Sequence, residues 1–144
     1  MSKLATRYFI DLTQPEIAAQ FKKNPLVILP AGSVEQHGPH LPTGTDIYAA
    51  NVIGHAVAER MDGLVLPGGP LGVTPMHMPF EGTITLSPDT YQRVVTETCA
   101  STAQHGAKRL LILNWHEGNI PSLAIASEKL HREVGMSVIV VQAC

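Results

Sequence analysis

The chain has 144 residues, of which 44% are hydrophobic and 15% charged, with a formal net charge of −2. That length suits one domain with a real core, and the apolar content excludes an intrinsically disordered chain. The charge balance leaves no basic footprint for nucleic acid, and no apolar run reaches the roughly 20 residues that cross a bilayer.

The segment Met1–Arg7 lacks the continuous apolar stretch of a signal peptide. With only two cysteines, Cys99 and Cys144, no disulfide framework is expected. The expected setting is the reducing cytoplasm, with two free thiols. Thr13-Gln14-Pro15-Glu16 then carries a cap residue, an early proline and a glutamate three after the cap. That pattern opens a helix. Leu26 to Pro30 is a short continuous apolar run, the signature of a strand buried on both faces. From Asp46 to about Arg60, Ile47, Ala50, Ile53, Ala56 and Val57 recur at helical spacing.

Leu64–Leu66 and Thr83–Leu86 read as weaker strands. Ser87-Pro88-Asp89 opens a further helix, which Gly106 closes. Leu110–Leu113 and Ser137–Val141 read as strong strands, with a helix from Asn119 to His131 between them, stopped near Gly135. Strands alternating with helices predict an α/β fold with a parallel sheet. Ligands of such sheets bind beyond the carboxyl ends of the strands. The segments that follow Leu29, Leu66 and Leu113 are therefore the places to look.

The loop after the first strand runs from Pro30 to Asp46 and holds Glu35, His37, His40 and Asp46 among glycines and prolines. Glu35 and His37 are two apart, so an extended backbone points both to one side. Asp46 falls at a helix start, where a carboxylate caps open N–H groups, and its second oxygen remains free to face the loop. Carboxylate oxygen with imidazole nitrogen suits zinc, manganese or iron. The loop after Leu113 reads Asn114-Trp115-His116-Glu117-Gly118-Asn119 and again puts a histidine and a carboxylate before a helix. Trp115 either walls a pocket or packs; Glu117 is a ligand, a general base or a helix-entry charge. His55, His105 and His131 lie in helical patterns and read as surface or packing residues. Gly68–Gly72 is glycine-rich but carries no dinucleotide or P-loop fingerprint, which disfavours a nucleotide-binding module.

The stretch Gly32 to Asp46 resembles the creatininase (creatinine amidohydrolase) family, whose signature looks like G-S-x-E-Q-H-G-x-H-L-P-x-x-T-D. Asn114-x-His116-x-x-Asn119 resembles its second signature, and His77 ahead of Phe80-x-Gly82-Thr83-Ile84 a third segment. The resemblance implies a three-layer αβα sandwich with a mostly parallel sheet, in one domain over residues 1–144 whose C-terminal part is absent. It implies a two-metal centre, zinc foremost with manganese or iron as alternatives. By position, Glu35, Asp46 and His116 match the ligands of one metal, His37 a ligand of the second, and Asp46 the bridge. The reaction implied is hydrolysis of a cyclic amide or formamide C–N bond in a small-molecule substrate. Neither nucleic acid nor membrane is expected as a partner. Such hydrolysis also needs a general acid for the leaving nitrogen; His40, His77 and Glu117 are the nearby candidates. The family resemblance further implies a homo-oligomer, commonly a hexamer, unless a missing C-terminal half is the partner.

Two departures bear on activity. Creatininase draws a second-metal ligand from a glutamate two residues after the second-loop histidine, where this chain has Gly118. Trp115 stands where the family usually has glycine. The rival reading is a catalytically inactive or split metal-binding remnant that lacks the C-terminal acid/base segment.

Overall fold

The computed structural model describes residues 4–69 and 71–143. Met1–Lys3, Pro70 within the glycine-rich stretch, and the thiol of Cys144 lie outside them. Among the described residues, four strands form one sheet: β1 (Leu26–Ala31), β2 (Leu64–Val65), β3 (Arg109–Asn114) and β4 (Ser137–Gln142). Their order is β2-β1-β3-β4, and every neighbour pair is parallel. The four main helices are α1 (Gln14–Lys23), α2 (Thr45–Met61), α3 (Pro88–Gln104) and α4 (Ile120–Lys129).

The local signals act as their chemistry requires. Glu16 accepts hydrogen bonds from the Thr13 backbone N–H (2.8 Å) and hydroxyl (2.6 Å), which fixes the start of α1. Ser87 Oγ accepts from the Thr90 N–H at the start of α3. Beyond α3, Gly106 takes φ +113°, a conformation that favours glycine. After α4 a π-helical turn spans Leu130–Val134 and ends at Gly135, φ +78°.

All six residues of β1 are buried, because helices cover both faces of the sheet. Val27, Leu29, Leu110 and Ile112 pack with Phe21 of α1, Tyr91, Val95 and Cys99 of α3, and Leu123 and Ala126 of α4. The alternate residue, Ile28, packs with Val65 and Ala58 of α2 on the opposite face. This period-2 division gives three layers, α/β/α. Burial pushes the Cys99 thiol up to about 12, so it behaves as a small apolar side chain.

Thr83–Leu86 does not join the sheet. It makes isolated bridges, Ile84 to Val34 and Thr85 to Gly72, across the loops above β1. Four alternating residues mark an extended segment but do not say what it pairs with. No helix of the described residues is long and apolar enough to cross a membrane. On β4 the side-chain pattern is mostly exposed, with Ile139 at 64%.

Candidate metal centre

The loops leaving β1 and β3 converge at the carboxyl edge of the sheet because these two strands are neighbours. Three buried groups meet there. Ligand atoms of Glu35, Asp46 and His116 lie within 4.8 Å of one another, an arrangement that can hold a metal ion. His116 Nδ1 is 3.2 Å from Asp46 Oδ2 and 3.4 Å from Glu35 Oε2. Each of the three side chains belongs to a residue no more than 8% exposed. Two buried carboxylates this close repel unless a cation or proton sits among them.

Asp46 does not cap α2. Gly44 holds the N-cap position and no side chain caps the helix. The Asp46 carboxylate instead turns into the site: Oδ2 accepts from Ser33 Oγ at 2.8 Å, and Oδ1 faces His37 Nε2 at 3.1 Å. This is possible because the helix start lies directly on the loop. A Cβ on Gly32 would stand 2.8 Å from the Asp46 carbonyl carbon. Glu35 Oε2 accepts a short hydrogen bond from Thr74 Oγ1.

The far nitrogens of both rings are tied to backbone carbonyls. His116 Nε2 donates to the Val73 oxygen at 3.0 Å, and His37 Nδ1 to the Glu35 oxygen at 3.1 Å. A carbonyl only accepts, so each of these nitrogens carries the proton. In its neutral form each ring therefore aims a lone pair, from His116 Nδ1 or His37 Nε2, at a carboxylate oxygen. Acceptor facing acceptor is unfavourable until a cation enters, and an outer hydrogen bond that fixes the tautomer is how metal-binding histidines are held. The residues present thus fit a divalent metal.

The electrostatics agree. Burial opposes ionisation of Asp46, yet hydrogen bonds from His116 and Ser33 and the nearby histidine charges outweigh it, so its carboxyl titrates below the usual range. Burial likewise opposes charge on His116, but the Asp46 hydrogen bond, the Val73 carbonyl and the two carboxylates hold its pKa above the ordinary value. The two carboxylates thus favour a positive charge at His116, whether carried by a proton or supplied by a cation.

An amide network locks the loops together. Asn119 Nδ2 donates to the Gly32 oxygen (3.0 Å) and to Asn114 Oδ1 (3.2 Å), while its Oδ1 accepts from the Val73 N–H (2.9 Å). Asn114 Nδ2 donates to the His116 oxygen (2.6 Å) and to Gln142 Oε1 (2.7 Å). Asn119 is fully buried. It ties the first loop, the second loop and the segment that holds Val73 and Thr74.

A cavity of about 910 Å³ opens above the cluster, lined by Glu35, His37, Asp46, His77, Trp115, His116 and Glu117 among others. That volume suits a small organic substrate. Trp115 forms part of its wall, as do Met76, Ile120 and Pro121. His77 lines it and places Nε2 3.9 Å from Glu35 Oε1. Glu117 lines it from an exposed position. His40 is exposed and is not among the lining residues. His55 stacks on Tyr8, and His131 Nδ1 bonds the Met136 oxygen, both away from the site.

Ser33, Gln36 and Thr74 are the contributors that sequence reasoning did not single out. Ser33 and Gln36 stand inside the signature loop, where a hydroxyl or amide beside the ligands was the available signal. Thr74 had none.

A family model described as "Creatininase: Creatinine amidohydrolase" matches residues 10–144. The chain belongs to the creatininase family. Among curated creatininase-family proteins, the mycofactocin precursor peptide peptidase of Mycobacterium ulcerans (strain Agy99) is 37% identical over 118 residues, 76% of this chain and 47% of that protein. The creatinine amidohydrolase of Pseudomonas putida is 33% identical over 115 residues, 76% of this chain and 44% of that protein. A crystal structure of creatinine amidohydrolase (creatininase) superposes with a TM-score of 0.85 at 28% identity, covering 96% of this chain and 58% of that one. Solved creatininases also include forms titled "Creatininase Mn" and, for a mutant, "Zn-Zn type". The chain spans about half the length of the curated relatives it matches.

Proposed function

We propose that this chain is a metal-dependent amidohydrolase that cleaves the C–N bond of a small cyclic amide or formamide. The observation that carries the reading is the pair of carbonyl-anchored imidazoles, His37 and His116, whose lone pairs face the buried carboxylates of Glu35 and Asp46. Glu35, Asp46 and His116 would hold one divalent ion; His37 with Asp46 would hold a second, zinc foremost and manganese or iron as alternatives. Such ions, when bound, lower the pKa of water and polarise a carbonyl.

The chain's own residues do the rest. Ser33 and Thr74 donate to the two carboxylates and fix which oxygens face the metals. Val73 and the Glu35 carbonyl hold the ring tautomers. Trp115 and Ile120 give one wall of the cavity an apolar surface. His77 and Glu117 line it as the candidate groups for proton transfer to the leaving nitrogen.

A specific observation also supports the rival, a metal-binding unit without turnover of its own. At Gly118, a Cβ would lie 2.2 Å from the Val73 oxygen and 2.6 Å from His116 Nε2. No carboxylate fits there, and His37 and Asp46 alone make a thin second site. Elemental analysis with a hydrolysis assay on creatinine, a formamide and a short peptide separates the two. Two metals per chain with turnover supports the amidohydrolase. One metal without turnover supports the remnant. Native mass measurement reports in the same experiment whether the working form is a homo-oligomer, of hexameric size on the family resemblance, or needs a second polypeptide.

A further inference from the structure

His77 lines the cavity but takes no part in the ligand cluster. Its ring is nevertheless held, by Gln36. Gln36 Nε2 lies 3.2 Å from His77 Nδ1, and Gln36 Oε1 lies 3.0 Å from the Gly38 backbone nitrogen. The second contact decides the first. A backbone N–H only donates, so the amide oxygen must face Gly38. The other end of the amide, which faces His77, is then the NH₂ group, and that group only donates. His77 Nδ1 must accept. A neutral imidazole has one donor and one acceptor, so the proton of His77 sits on Nε2. Gly38 can serve this turn because it adopts φ +70°.

His77 and Glu35 both line the cavity, and His77 Nε2 stands 3.9 Å from Glu35 Oε1. That is too long for a hydrogen bond, so the donor is not consumed by its neighbour. It stands at the edge of the cluster with its hydrogen available to an oxygen entering the cavity. The contrast with His37 and His116 is direct. Those rings give their proton to a backbone carbonyl and offer the site a lone pair, whereas His77 has the opposite polarity.

We propose that Gln36 is a positioning residue that holds His77 in the Nε2–H tautomer, so that His77 donates a hydrogen bond to the carbonyl oxygen of a bound amide and is not a metal ligand. The substrate half of this statement rests on the amidohydrolase reading; the tautomer and metal halves do not. The structure therefore assigns two kinds of imidazole to one site, lone-pair rings for cations and an N–H ring for an oxygen.

The test begins with nitrogen-15 labelled histidine in the metal-loaded protein, in mildly alkaline buffer where imidazole is neutral. Long-range nitrogen–proton correlation spectra read which ring nitrogen carries the proton, and His77→Gln identifies the resonance. The expected spectrum has a protonated Nε2 and a bare Nδ1. A protonated Nδ1, or an even mixture, overturns the proposal. Gln36→Glu supplies an acceptor in place of the donor and is expected to reverse the tautomer. Gln36→Leu covers the case in which the charged variant does not fold; it removes the constraint and is expected to give a mixture. Retention of the wild-type tautomer in every variant that folds overturns the role of Gln36. Metal per chain should be unchanged in His77→Gln, and loss of one equivalent makes His77 a ligand and overturns the donor role. On whichever amide is hydrolysed, His77→Ala should lower kcat/KM at least tenfold, with partial rescue in His77→Gln, which keeps an N–H. Equal loss in both variants overturns substrate contact. Absence of hydrolysis by the wild type refutes the amidohydrolase reading and the substrate half together, while the nitrogen spectra and metal counts still decide the tautomer.

Discussion

His116 donates from Nε2 to the Val73 carbonyl at 3.0 Å and holds Nδ1 3.2 Å from Asp46 Oδ2. One ring thus links the segment that carries Thr74 to the carboxylate that starts α2. The pair titrates in opposite directions, Asp46 downward and His116 upward. A group with a lowered carboxyl pKa stabilises the fold above its unfolded value, about 3.9, and loses that contribution as pH falls through the folded value. A histidine with a raised pKa stabilises fully below about 6.5 and loses its contribution as pH rises through the folded value.

Metal-free protein should therefore be most stable between about pH 4 and pH 6.5, where both contributions are present. Its Tm should fall on the alkaline side as His116 deprotonates. With zinc bound, the cation replaces that proton, so the alkaline loss should vanish and apparent metal affinity should rise with pH. Thermal denaturation with and without chelator checks this. A metal-free Tm that climbs from about pH 6 to about pH 9, across the range where histidine loses its proton, would contradict it.

Asp46→Ala should weaken binding of both metals, because the two oxygens of this carboxylate face different imidazoles. His37→Ala should chiefly empty the second position. Elemental analysis after dialysis reads both, and unchanged metal content in Asp46→Ala would refute the assignment.

Thr74→Val removes the hydroxyl that donates to Glu35 Oε2 while keeping the side-chain volume. Loss of such an outer contact typically lowers metal affinity about 10- to 100-fold. The measurement is competitive titration against a coloured chelator. A shift below twofold would mean that Thr74 does not orient Glu35.

How much of this was written in the sequence depends on the kind of signal. Leu26 to Pro30 and Leu110 to Leu113 are unbroken apolar runs, and only a strand covered on both faces needs them. The cluster of Glu35, His37, Asp46 and His116 stood out because charged and imidazole groups gathered at strand ends. Thr83–Leu86 misled because alternation specifies an extended chain, not its partner. Thr74 was silent, since a hydroxyl that serves a residue far along the chain follows no spacing. Asp46 looked like a cap by position, yet the fold gave its oxygens to Ser33, His37 and His116.

Asn119→Ala should destabilise the chain by on the order of 2–3 kcal/mol, because it leaves the buried Gly32 carbonyl and Val73 N–H without their partner. Denaturant unfolding measures this. Metal affinity should drop with it, since the three loops lose their common tie. A loss below about 0.5 kcal/mol, the size of an exposed substitution, would show that the loops hold without the amide.

Gly118→Ala should do more harm than a glycine-to-alanine change in open space. The added carbon would press on the Val73 oxygen and on His116 Nε2, the two atoms whose hydrogen bond sets the ring. Weaker metal binding with a lower Tm is expected. For the same reason, Gly118→Glu should not rebuild a second metal site. Gain of a second bound metal in Gly118→Glu would mean that this segment yields readily.

The strands β1 and β3 pair side by side, Val27 against Leu110 and Pro30 against Leu113, although much of the chain lies between them. Contacts this distant in sequence form late, after a costly loop closure. A cation held by Glu35 and Asp46 from one strand end and by His116 from the other would act as a clasp across that closure. It would hold the two middle strands of the sheet in register from their shared end. Chelation of a bound ion should then speed the opening of the molecule as well as empty the site, so such an ion would set the lifetime of the folded chain.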